Sequence, residues 1–140
     1  MAARQPLIGI RVLVVDDVTD SLELLRFVLS SAGADVAEAS SARDAFDAIR
    51  EHPPDVLVSD IAMPEHSGLD LIRWVRELPE PASHLSAIAV SGKASALGHQ
   101  QHVRAGFDLS LSKPVDLDHL VAAVSQLARE EPQEQRYELE

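Results

Sequence analysis

Five side chains in this 140-residue sequence have the types and spacing to do metal and phosphate chemistry: Asp16, Asp17, Asp60, Ser91 and Lys113. Apolar runs lead up to them, VLVV before Asp16, VLVS before Asp60, AIAV before Ser91 and FDLSL shortly before Lys113. Carboxylates gathered in one cleft repel each other and call for a hard cation. Magnesium suits such a site, since it binds through one or two carboxylates, water and phosphate oxygens. A hydroxyl and an ammonium group beside it complete a phosphate site, with Ser91 as hydrogen-bond donor and Lys113 as point charge. The chain has only one other lysine, Lys93.

Residues so far apart in sequence meet only if the fold brings strand ends together. IRVLVV (10–15) is almost continuously apolar, as in a strand covered on both faces. From Thr19, Leu22, Leu25, Val28, Leu29 and Ala32 recur at helical spacing and stop at Gly33. ADVAEA (34–39) is a weak strand pattern, and Ser41 then caps a helix with Ala45, Phe46 and Ile49 that ends before Pro53-Pro54. DVLVS (55–59) is the third strand. Ser67 and Asp70 have capping-box spacing and open a helix through Leu71, Ile72, Val75 and Leu78. SAIAVS (86–91), a helix from Ala94 to Ala105, FDLSL (107–111) and an amphipathic helix at 116–128 complete the pattern.

Strand and helix alternate five times, which predicts a parallel sheet with helices on both faces, an α/β doubly wound fold. With the flavodoxin-like strand order 2-1-3-4-5, strands one and three are neighbours and their carboxylates share the switch point where such sheets bind ligands. Ser91 and Lys113 then arrive from the adjoining strands.

Composition narrows the function. The length and the 46% hydrophobic content suit one globular domain. A net charge of −11 opposes nucleic-acid binding. There is no cysteine, hence no disulfide or thiolate metal site, and no asparagine to glycosylate. No apolar run reaches membrane-spanning length, and MAARQPLIG lacks the apolar core of a signal peptide, so a cytoplasmic location is expected. Residues 1–7 read as an N-terminal extension, 8–129 as the domain, and 130–140 (EEPQEQRYELE) as an acidic tail or linker stub.

VLVVDD, VLVSDIAMPEHSGLDLIR, AIAVSG and LSKPVD together resemble, in order, the signature of receiver domains of two-component response regulators. The resemblance covers roughly residues 8 to 129. It implies that Asp60 is a phosphoacceptor, taking a phosphoryl group from a phosphohistidine on a histidine kinase or histidine phosphotransfer protein. It further implies that Asp17, Asp60 and the backbone carbonyl of Ala62 bind Mg²⁺ directly, with Asp16 acting mainly through water. Lys113 would hold a phosphoryl oxygen and Ser91 would swing toward the phosphate with its loop. Lys93 falls where the family tunes phosphate lifetime. A downstream protein target is expected, and no enzymatic turnover beyond self-phosphotransfer and slow self-dephosphorylation. The stretch AGFDLSLSKPVDLDHL is more similar to receivers of hybrid histidine kinases than to those of DNA-binding regulators.

One position departs from the family pattern. Three residues before the lysine, many receivers carry Tyr or Phe, whereas this chain has Ser110; Phe107 lies nearer the strand's start. A phosphorylation-independent binding module of the same fold is therefore the competing reading. An aspartate-nucleophile phosphatase would need D-x-D after strand one, and a flavodoxin relative would need a Ser/Thr/Gly-rich loop; DDVTD fits neither. His99 and His102 stand at i, i+3 with no third ligand evident, so a solvated helix face is expected. Trp74 falls at the margin of its helix's apolar stripe, which predicts partial burial.

Overall fold

Apolar runs at 12–15, 56–58 and 87–90 present apolar side chains to both faces of an extended chain, which suits strands covered on both sides. In the computed structural model, which describes residues 5–92 and 95–129, these runs form the middle of a five-stranded parallel sheet. The strands are β1 (Arg11–Val15), β2 (Asp35–Ala39), β3 (Val56–Asp60), β4 (Ser86–Ser91) and β5 (Leu109–Ser112). They lie in the order β2-β1-β3-β4-β5, as the flavodoxin-like reading requires. The helices are α1 (Thr19–Ser31), α2 (Ala42–Glu51), α3 (Gly68–Arg76), α4 (Ala96–Ala105) and α5 (Leu117–Arg129). Lys93 and the tail at 130–140 lie outside the described residues.

Alternation along the strands builds two cores. Val12, Val14, Val56, Val58, Ile88 and Val90 pack against Leu22, Leu25 and Leu29 of α1 and Leu120 and Val124 of α5. On the opposite face Leu13, Leu57, Ala87 and Ala89 meet Ile49 of α2 and Leu71, Ile72 and Val75 of α3. Burying each large aliphatic side chain contributes about 1.5–3 kcal/mol, so a full row outweighs the cost of holding one carboxylate at its end. Packing also reaches back before residue 8. Leu7 is fully buried in the first core, and its N–H donates to the Ala32 carbonyl at 2.9 Å.

The edges explain the weaker sequence signals. β2 borders solvent and keeps Asp35 and Glu38 exposed, so its apolar content is low. Charge on an edge strand also discourages pairing with another chain. β5 begins at Leu109, two residues after the expected start at 107. Asp108 causes the delay, because its carboxylate accepts the Ala87 N–H at 2.8 Å and a contact from Arg76 at 3.4 Å. Phe107 is buried just outside the strand. The half-buried Arg76 guanidinium also donates to the carbonyls of Gly106, Ser83 and Leu85, tying the feet of β4 and β5 to α3. A single 3₁₀ turn, Ala82–His84, interrupts the Pro-rich link into β4, where no periodic pattern announced it.

Local caps set the helix starts. Ser41 Oγ accepts the Asp44 N–H at 3.1 Å, and Ser95 Oγ accepts that of Gly98 at 3.1 Å and caps α4 at Ala96; Ala94, the expected start, lies outside the described residues. Ser67 and Asp70 form the expected reciprocal capping box, at 3.2 and 3.0 Å. α3 then begins on Gly68, whose N–H donates to the Ile61 carbonyl at 2.8 Å. A Cβ at this position would run into the Asp60 carbonyl oxygen. Gly68→Ala is therefore expected to lower stability by about 1–3 kcal/mol, the usual cost of overpacking. Guanidinium denaturation measures this, and an unchanged midpoint would show that the β3–α3 loop yields freely.

Candidate functional site

Parallel strands deliver their carboxyl ends to one edge of the sheet, and β1 and β3 are hydrogen-bonded neighbours there. That adjacency brings Asp16, Asp17 and Asp60 together, each with a carboxylate oxygen within 4.8 Å of the others. Asp16 is almost wholly buried, and its Oδ1 accepts the Val18 N–H at 2.9 Å, which fixes the turn into α1. Asp60 is 7% exposed, and its Oδ1 accepts the Ile61 N–H at 2.9 Å. Asp17 is the exposed member of the trio.

Lys113 enters from β5. Its backbone N–H donates to the Ser91 carbonyl at 2.6 Å, and the following Lys113–Pro114 bond is cis. The ammonium group stands 3.2 Å from Asp16 Oδ2 and 3.5 Å from Asp60 Oδ1. Ser91 ends β4 at 8% exposure, and its Oγ has no hydrogen-bond partner among the described residues. A buried hydroxyl without a partner is costly, and such a group at a strand end suits a ligand oxygen. Ala62 lies on the exposed loop two residues past Asp60. Beside the cleft, a groove of about 250 Å³ is lined by Leu24, Leu25, Val90, Pro114, Val115 and Leu117, together with Asp16, Ser21 and Lys113.

The electrostatics follow from this crowding. Burial first, and then the neighbouring Asp16 charge, raise the Asp60 carboxyl above its ordinary value, and Lys113 and the Ile61 N–H offset only part of the rise. Burial works against the Lys113 charge, but Asp16 and Asp60 outweigh it and raise the amine above its ordinary value. Among the described residues, the site thus holds more negative charge than its one ammonium balances. Three oxygen donors and a surplus of negative charge fit a hard divalent cation.

The loop after Asp60 turns at Glu65, with φ +67°, and brings His66 edge-on to the Trp74 ring at 4.9 Å. Trp74 is half-buried as expected. It also meets Phe46 of α2 at 5.6 Å and the Arg43 guanidinium at 5.4 Å.

Residues 12–125 match the family model described as the response regulator receiver domain. The chain belongs to this family. The receiver is 43% identical over 122 residues to a 14.6 kDa protein of Leptolyngbya boryana described as uncharacterized, covering 87% of this chain and 92% of that one. It is 30% identical to the polar-differentiation response regulator DivK of Brucella ovis, over 81% of this chain and 91% of that one. Among solved structures, the receiver domain of Francisella response regulator 1452 superposes with a TM-score of 0.80 at 26% identity, covering 86% of this chain and 98% of that one. A CheY-like receiver protein of Methanospirillum hungatei gives 0.78 at 27%, covering 94% and 98%.

In this receiver the histidine pair departs from expectation. His102 is 7% exposed rather than solvated, and His99 is half-buried. Both rings turn inward because β5 carries small serines: Ser110 Oγ lies 2.5 Å from His99 Nδ1 and 2.7 Å from His102 Nδ1. Spacing alone placed the two histidines on one helix face. The serines at 110 and 112 were the available sign that this face has a polar partner.

The raised Asp60 carboxyl generates a stability test. A folded-state value above the unfolded one means that the native protein binds the proton more tightly, so the ionised group weakens the fold at higher pH. Asp60→Asn keeps an acceptor for the Ile61 N–H and removes the charge. It is expected to stabilise the receiver at neutral pH, read as a higher melting temperature than that of the wild type. The gain should fade as pH falls through the raised folded value and vanish below the unfolded value of 3.8, where the carboxyl is neutral in both states. Thermal melts across that range check the sign, and a variant less stable at neutral pH contradicts it.

Proposed function

We propose that this receiver accepts a phosphoryl group on Asp60 from a phosphohistidine of a histidine kinase or histidine phosphotransfer protein, and passes the signal to a protein target. One observation carries the reading: a buried strand-end carboxylate, pushed above its ordinary range, shares a cleft with two further carboxylates and the Lys113 ammonium. An Asp60 oxygen forms the new O–P bond as the P–N bond to the donor imidazole breaks. The imidazole keeps that electron pair and takes up a proton. Fixed geometry and charge do most of the work in such transfers.

Asp17, Asp60 and the Ala62 carbonyl, with Asp16 through water, would hold Mg²⁺. When bound, the cation offsets the charge shared between carboxylates and phosphoryl oxygens. Lys113 moves from its carboxylate partners onto a phosphoryl oxygen, and the unpartnered Ser91 Oγ supplies a hydrogen bond to another. Movement of Ser91 would carry its connection to α4 with it, a local event that biases a larger element. The role is that of a signalling switch whose own chemistry extends to self-phosphotransfer and slow self-dephosphorylation. No described helix is long and apolar enough to cross a membrane, and we assign the receiver to the cytoplasm, a reducing compartment that its cysteine-free composition suits.

Intact-mass analysis after incubation with acetyl phosphate, with Mg²⁺ or with EDTA, tests the assignment. A single phosphoryl gain is expected in Mg²⁺, abolished by EDTA and by Asp60→Asn. If acetyl phosphate and histidine-linked donors all leave the mass unchanged, the chain works instead as a phosphorylation-independent binding module.

A further inference from the structure

Helix α4 is attached differently from its neighbours. α1, α2, α3 and α5 each bury three or more side chains or small residues against the sheet, among them large aliphatics. Among the described residues of α4 only His102 is buried, while Leu97 and Val103 are largely exposed. Apolar packing therefore holds this helix weakly, and its hydrogen bonds to β5 become decisive.

Those bonds converge on one hydroxyl. Ser110 Oγ meets His99 Nδ1 and His102 Nδ1, and His99 Nε2 reaches Ser112 Oγ at 3.0 Å. A hydroxyl has one proton and two lone pairs. It can donate to one imidazole and must then accept an N–H from the other, so two neutral rings satisfy the set. One added proton is also accommodated: a charged His99 donates to both serines while Ser110 donates to a neutral His102. A second proton leaves the Ser110 hydrogen without a ring acceptor. It also places two cations on rings whose centroids are 5.9 Å apart, one of them buried.

No described carboxylate nearby is free to relieve that pair. The groove around His99 and Ser110 contains Arg104 and Asp108, and Asp108 is already engaged by Arg76. From α3, the other element packed against α4, Arg73 faces Gln101 and Arg104. Among the described residues, neither imidazole forms an ion pair with an acid.

We infer that His99, His102 and Ser110 form a proton-operated latch between α4 and β5, closed while at least one ring is neutral and opened when both are charged. In support, burial and then His99 hold His102 below its ordinary value, so the network stays closed at neutral pH. On the phosphoacceptor reading, the latch spans the elements that follow Ser91 and precede Lys113, so acidification would loosen the same helix that Ser91 movement biases.

Hydrogen exchange followed by NMR on the full chain tests the latch without any phosphoryl group. Its failure and that of the phosphoacceptor reading are therefore separable. After correction for intrinsic rates, protection of the 99–105 amides is expected to fall about tenfold from about pH 7.5 to about 5.5 while the α2 amides hold steady. In His102→Gln, which cannot take the second charge, the pH dependence should vanish. Ser110→Ala should loosen α4 already at neutral pH, which keeps the test open if the glutamine variant misfolds. Protection of α4 that is flat with pH in the wild type, or a pH dependence that survives in His102→Gln, overturns the inference.

Discussion

The molecule is organised around three carboxylates held close together with one ammonium group to oppose them. Like charges at this separation would drift apart if their supports were soft. Asp16 and Asp60 cannot, because Asp16 directly follows β1 and Asp60 ends β3, both inner strands of a sheet buried on both faces. Rigid packing therefore maintains an electrostatic imbalance that free side chains would relax. The imbalance leaves the site receptive to a cation.

The supports form a hierarchy. The two apolar layers hold β1, β3 and β4 in register, which sets the positions of Asp16, Asp60 and Ser91. Gly68, seated under the Asp60 carbonyl, lets α3 begin close behind Asp60. Lys113 depends on the edge strand β5, so the one described ammonium in the cleft rides on a less deeply packed element than the acids it opposes. The acids are thus held more firmly than the lysine that opposes them.

Much of this is legible in the chain itself. Apolar runs ending in Asp16-Asp17, Asp60 and Ser91 mark central strands, since only doubly covered strands are apolar on both faces. The capping box at Ser67 and Asp70 is readable because its chemistry is local. Features that depend on distant partners are not. Asp108 shortens β5 by bonding to Ala87 and Arg76, neither of which is a sequence neighbour. His102 looks solvated in the sequence because helical spacing shows which residues share a face but not what lies opposite. There the answer is Ser110, a residue notable in the sequence mainly for not being aromatic. The unpartnered Ser91 hydroxyl belongs to the same class, since lacking a partner is a property of surroundings.

The single tryptophan touches three parts of the molecule at once. Trp74 sits on α3, leans on Phe46 and Arg43 of α2, and receives the edge of His66 from the loop that follows Asp60. Half-buried, the indole takes much of its surroundings from groups whose spacing is set next to Asp60. The chain thus carries its own optical gauge of that loop, with no competing indole to blur the reading.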